Sequence, residues 1–135
     1  MPKVKASELR IGNLVDLGNR IAKVIEINHL ACVVVDLEET QDTIEDYERT
    51  KPIPLTEDWL LKFGFVKQDY TMSGCDIYKL KNIIIMKSFI NPERKHMGIT
   101  MEGISPPTWS LKDLTHVHEL QNLYFTLTGK ELILN

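Results

Sequence analysis

The residues best able to do chemistry stand close together near the end of the chain, in "THVHELQNLYFTLTGKEL", Thr115 to Leu132. His116, His118 and Glu119 are of the types that hold a divalent metal or move a proton, and Gly129-Lys130 has the look of a phosphate-loop fragment. Zinc chemistry on a helix takes histidines four apart, as in H-E-x-x-H, so that both imidazoles leave one face. Two residues apart on a helix they diverge by about 200°. On an extended segment they would share a face and could chelate, with His96 or Cys75 as a third ligand. A metal-dependent hydrolase is therefore the minor reading. The phosphate loop fails on spacing: a Walker A motif needs glycine five residues earlier and Ser or Thr after the lysine, where this chain has Tyr124 and Glu131. It also fails on position, because the carbonyls at a helix C-terminus repel phosphate.

What must position these residues is a helix. Leu120, Leu123, Tyr124 and Leu127 recur at the spacing of one buried face, and Val117 extends it backwards. Thr115 is the expected N-cap and Gly129 the left-handed residue past the end, with Lys130 complementing the dipole there. On that helix the two histidines are expected on different sides. Gln121 and Asn122 are expected to bond neighbouring backbone or loops. The stretch thus reads as structural, and no other catalytic constellation emerges. The serines lie outside any G-x-S-x-G elbow, and Cys75 in "SGCD" has no signature of an activating base. No cofactor is implied and the chain reads as a non-enzyme.

A length of 135 residues fits one compact unit, and 43% hydrophobic with 26% charged residues is the composition of a globular chain. No apolar run approaches the roughly 20 residues of a membrane span, and "MPKVKASELRIGN" lacks an apolar signal core. A cytoplasmic protein is expected, with no membrane partner. Cys32 and Cys75 form no C-x-x-C pair, and Cys32 reads as a small buried hydrophobe.

The net charge of −3 is unevenly spread. From Asp36 to Glu48 the charge is wholly acidic, with Glu38, Glu39, Asp42, Glu45, Asp46 and Glu48 as candidate partner-binding residues. From Lys62 to Lys95 basic residues outnumber acidic ones. There Lys79, Lys81, Lys87, Arg94, Lys95 and His96, with Tyr70 and Tyr78 nearby to stack bases, are the candidate nucleic-acid surface.

The fold expected is α+β, in two subdomains forming one compact unit. Residues 1–50 read as a β-rich piece: strands at Leu14–Leu17, Ile21–Ile27 and Leu30–Leu37, separated by Gly-Asn and Asn-His turns, suggest an SH3-like three-stranded unit. The acidic segment after them reads as an exposed loop, with Ile44 and Tyr47 as the residues that could anchor a strand in it. Residues 51–135 read as a second α+β piece. In "LTEDWLLKFGF" Thr56 caps a short helix, Leu55 and Leu60 form a hydrophobic staple, and Gly64 ends it. An antiparallel sheet follows in "DIYKLK", "IIIMKSFI" and "MGITME", with a tight turn at Asn82 and the C-terminal amphipathic helix packed across it. Strand alternation puts Ile77, Lys79 and Lys81 on one face, expected to be the solvent side.

The motifs "ELRIGNLV", "PIPLTEDWLLKFGF" and "HVHELQNLYFTLTGKEL", in that order over roughly a third of the chain, resemble a family of small uncharacterised proteins of bacterial genomes, prophages and phages. The resemblance implies no activity, cofactor or catalytic residue. It implies a mobile-element setting, in which small acidic proteins act by binding host or defence-system machinery, as anti-CRISPR inhibitors of defence nucleases do. A non-catalytic binding protein is therefore the expected function, and a module binding single-stranded RNA or DNA is the alternative.

Overall fold

The structure is a computed structural model describing residues 6–18, 20–27, 31–36, 42–46, 50–72, 74–90, 97–103 and 112–134; the side chains of residues 6, 31–36, 42–46 and 112 lie outside the description. It contains helices and two sheets, mostly strands, and so is α+β. The chain divides into two compact units that interleave in sequence. The first comprises Met1–Pro54 and His116–Glu131, the second Leu55–Thr115 and Leu132–Asn135. This differs from a sequential split at residue 50, because the last helix groups with the N-terminal strands.

In the first unit a 3-10 turn, Ala6–Glu8, precedes four antiparallel strands in chain order: Leu14–Asp16 (β1), Ile21–Ile27 (β2), Ala31–Asp36 (β3) and Asp42–Asp46 (β4). The first three follow the Val and Ile runs. The fourth lies in the acidic segment expected to be mainly a loop; the alternative, a strand anchored by Ile44, is what forms, paired Val33 to Ile44 and Val35 to Asp42. Alternation buries one side of β2, where Ala22 and Val24 cluster with Val15 and Leu9, and Leu17 and Ile27 pack against them; in β1 both Leu14 and Val15 are buried. Gly18 closes the first hairpin at φ +98° while its N–H donates to the Asp16 carboxylate at 2.7 Å, an Asx turn that local polar chemistry favours. Val117–Thr128 (α2) completes this unit, and the Val117 N–H donates to the Ile53 carbonyl at 2.8 Å.

The second unit begins with Glu57–Lys62 (α1). Thr56 occupies the N-cap position in extended conformation, but its hydroxyl makes no capping bond. The other end is as the sequence signals: Gly64 stands at φ +93°, its N–H donates to the Leu61 carbonyl, and the Phe65 N–H donates to Leu60, both at 3.0 Å. That pair of bonds is the Schellman arrangement. It turns Phe65 inward, so that Leu60, Phe63 and Phe65 are all buried. Trp59 is only half-buried, tilted on Phe63 with the Lys62 ammonium 4.7 Å from its ring centre.

Five antiparallel strands follow in chain order: Val66–Met72 (β5), Cys75–Leu80 (β6), Ile83–Ser88 (β7), Met97–Met101 (β8) and Lys112–Leu114 (β9). The turn Lys81-Asn82 joins β6 to β7, with Lys81 in the left-handed region at φ +55°. Tyr78, Ile85 and Ile99 pair across three strands and are fully buried. The opposite face is buried as well: Ile77, Ile84 and Met86 form a second cluster, with Met72 and Cys75 packed on it. The expectation that Ile77 shares a solvent face with the lysines is thus corrected. A central strand reading Ile-Ile-Ile-Met is apolar on both sides and needs cover on both.

Candidate functional site

α2 starts one residue later than the sequence suggests. His116, not Thr115, is the N-cap, with extended backbone at φ −133° and ψ 154°. Glu119 stands at the third helical position, and its carboxylate accepts the His116 backbone N–H at 3.0 Å, as in a capping box. The same carboxylate oxygen lies 3.3 Å from the His116 ring Nδ1.

Because His116 precedes the first helical turn, helical angles do not separate it from His118. The two rings stack, their centres 5.9 Å apart and their planes 21° from parallel. This corrects the expectation that they point to different sides. His118 is buried at 2% exposure. Its Nε2 lies 3.4 Å from a carboxylate oxygen of Glu8, and its Nδ1 has no hydrogen-bond partner among the described residues. Burial pushes its pKa below the usual histidine value and the neighbouring charge of His116 adds to this, while Glu119 and Glu8 pull the other way. General acid or base work requires reach to a substrate proton, and an imidazole this enclosed has none. Among the described residues no group of three or more His, Cys, Asp or Glu is placed to hold a metal ion. Cys75 stands at the start of β6 beside the second apolar cluster.

Among the described residues the densest polar constellation is the contact of "ELRIGN" with α2. Gln121 is buried, accepting the Leu14 N–H at 2.8 Å and donating to the Gly12 carbonyl at 3.1 Å. Asn122 Oδ1 accepts from Asn13 Nδ2 at 2.7 Å and from Arg10 Nη1 at 3.0 Å, while Asn122 Nδ2 donates to the Glu8 carbonyl at 2.9 Å. Asn13, fully buried, accepts the Arg10 N–H at 2.7 Å. The Arg10 guanidinium lies 4.2 Å from the centre of the Phe125 ring and pairs with Glu131. These groups are satisfied by one another, which is the signature of a latch rather than of a site waiting for a ligand. Gln121 and Asn122 bond backbone as expected. Arg10, Asn13 and Glu131 were not singled out by sequence, and the only signal was amide residues at otherwise apolar spacing.

The charged candidates are placed as follows. Asp42, Glu45 and Asp46 stand on β4, the edge strand of the first sheet, opposite Val35, Cys32 and Ala31. Glu38, Glu39 and Glu48 lie outside the described residues, as do Arg94, Lys95 and His96. Lys79 pairs with Glu102 at 3.0 Å, and its ammonium is 5.7 Å from the Tyr70 ring centre; Tyr70 and Glu102 raise its pKa. Lys87 pairs in register with Asp76 and Lys79 with Ile84, so the two lysines leave opposite faces of the sheet. Lys81 is in the hairpin turn. Tyr78 is fully buried and donates from its hydroxyl to Glu57 at 2.8 Å, so it offers no surface for stacking a base. The basic candidates among the described residues therefore do not assemble on one face.

No family model, no curated protein and no solved structure matches the chain. Among the described residues, no helix is long and apolar enough to cross a membrane.

Proposed function

We propose that the chain is a non-catalytic binding protein of the phage or mobile-element type, which acts in the cytoplasm by seating its acidic segment on a host or defence-system protein. A defence nuclease is the best-fitting target, because a channel that binds nucleic acid is lined by Lys and Arg, and carboxylates are complementary to it. The observation that carries this reading is the acidic edge: three of the five residues of β4 are acidic, on the outermost strand of its sheet. Carboxylates along an edge discourage strand addition and are complementary in charge to a basic surface. On this reading β1 to β3 are the SH3-like unit and β4 extends it.

Direct binding of RNA or DNA has less support. Lys79 is neutralised by Glu102, Lys87 lies on the other face, and Tyr78 is enclosed. Affinity purification from host lysate, with identification of both protein and nucleic acid, tests the choice. A basic protein retained after nuclease treatment is expected. Recovery of free RNA or DNA with no protein, bound with an affinity that falls steeply with salt, would replace this reading with the other.

A further inference from the structure

We propose that β5 is a homodimerisation strand, pairing antiparallel with β5 of a second copy about a two-fold axis at Gln68. β5 is the outer strand of the second sheet, and none of its seven residues is buried. It carries no proline; the bulge between Lys67 and Thr71 and the charges of Lys67 and Asp69 are the devices that blunt this edge toward strands without matching charges. Val66 and Tyr70 are 61% and 41% exposed, an unusual outlay of apolar surface on a free strand.

The backbone of this edge is also under-used. Lys67 pairs with Tyr78 and Thr71 with Asp76, so Gln68, Asp69 and Tyr70 together face Ile77 alone. Extra residues in such a bulge are left out of the ladder. The Val66 carbonyl takes its hydrogen bond from the Gln68 side-chain amide at 2.9 Å, a local donor that the N–H of an arriving strand replaces.

The side chains select the occupant. With Gln68 opposite Gln68 of the second copy, each Lys67 faces an Asp69 and each Val66 faces a Tyr70. Opposite charges and apolar–aromatic pairs are both favourable across a strand pair, whereas like charges are not. Centring the axis on Asp69 instead sets the two aspartates against each other. Lys67 is 48% exposed on its side chain and pairs with Asp76 at 3.8 Å, a surface ion pair weak enough to be exchanged for this contact. A two-fold pairing uses the edge on both copies and therefore closes at two.

Light scattering after size exclusion on the full chain tests this across a concentration series. The mass should rise from 15.6 kDa toward twice that value. Lys67→Asp and Asp69→Lys should each weaken association by about tenfold or more, since each sets like charges opposite. An equimolar mixture of the two variants should associate again, because every charge then meets its opposite. The inference is overturned by a wild-type chain that stays monomeric throughout, by single variants that dimerise as the wild type does, or by a mixture that fails to recover. Circular dichroism of each variant separates lost pairing from lost folding, and the test involves no partner protein, so its outcome is independent of the proposed function.

Discussion

Gln121 Oε1 accepts the Leu14 N–H at 2.8 Å, and the same side chain donates to the Gly12 carbonyl, so one amide of α2 holds both sides of the entry into β1. Both backbone groups lose their partner in Gln121→Ala. A buried polar group left unsatisfied costs about 1–3 kcal/mol. The variant should lose about 2–3 kcal/mol by urea denaturation, and Gln121→Glu should also be destabilised, because a carboxylate cannot donate to the Gly12 carbonyl. A loss below about 0.5 kcal/mol in both, less than one ordinary hydrogen bond, would show that the latch carries little of the stability.

Gly12 turns the chain into that contact at φ +100°, and a Cβ there would meet nothing nearer than Glu131 Oε2 at 3.8 Å. Space is available, so the cost of Gly12→Ala is the backbone conformation alone, about 1–2 kcal/mol. A thermal melt lowered by several degrees is expected. An unchanged melt would mean that the turn relaxes to negative φ without disturbing Gln121.

Tyr78 is held by burial and by its bond to Glu57, and both push its pKa well above the usual phenol value. Since the folded state favours the protonated form, this stability is complete below about pH 10, the unfolded value, and is lost as pH rises toward the folded one. One of the four tyrosines should therefore ionise only together with unfolding in an alkaline absorbance titration. Tyr78→Phe keeps the ring, removes that coupled step, and costs about 1–3 kcal/mol at neutral pH.

His118 works in the opposite direction of pH. Burial lowers its folded pKa, so the unfolded chain takes up a proton first, and stability falls as pH drops below about 6.5, the unfolded value. The groups facing it are Glu8, His116 and Glu119; the carboxylates reduce the effect and His116 increases it. Denaturation midpoints between pH 7 and 5 should decline, and His118→Leu should flatten that decline. An imidazole that protonates above its ordinary value by NMR would contradict the assignment.

Much of this architecture was legible in the residues themselves. The Val and Ile runs marked β1 to β3, and Leu60, Gly64 and Phe65 marked the end of α1 by a stereochemical rule that tertiary structure did not override. β4 was only half legible: Ile44 offered a strand anchor, but Asp and Glu are weak strand formers and favoured a loop, and here pairing with the Val-rich β3 outweighs propensity. The His116–His118 stack was missed by one residue of helix boundary, the least secure feature of any sequence reading. The second apolar face was readable in Ile83 to Met86, four apolar residues in a row, yet Lys79 and Lys81 drew attention to the other pattern.

The most direct test of the proposed function is the same affinity purification run side by side with the wild type and with Asp42→Asn, Glu45→Gln, Asp46→Asn combined. The substitutions remove charge from β4 while keeping side-chain shape. The account predicts a basic protein captured by the wild type, its recovery lowered about tenfold or more in the variant, at equal thermal stability. Equal recovery by both chains, or capture of nucleic acid alone, would contradict it.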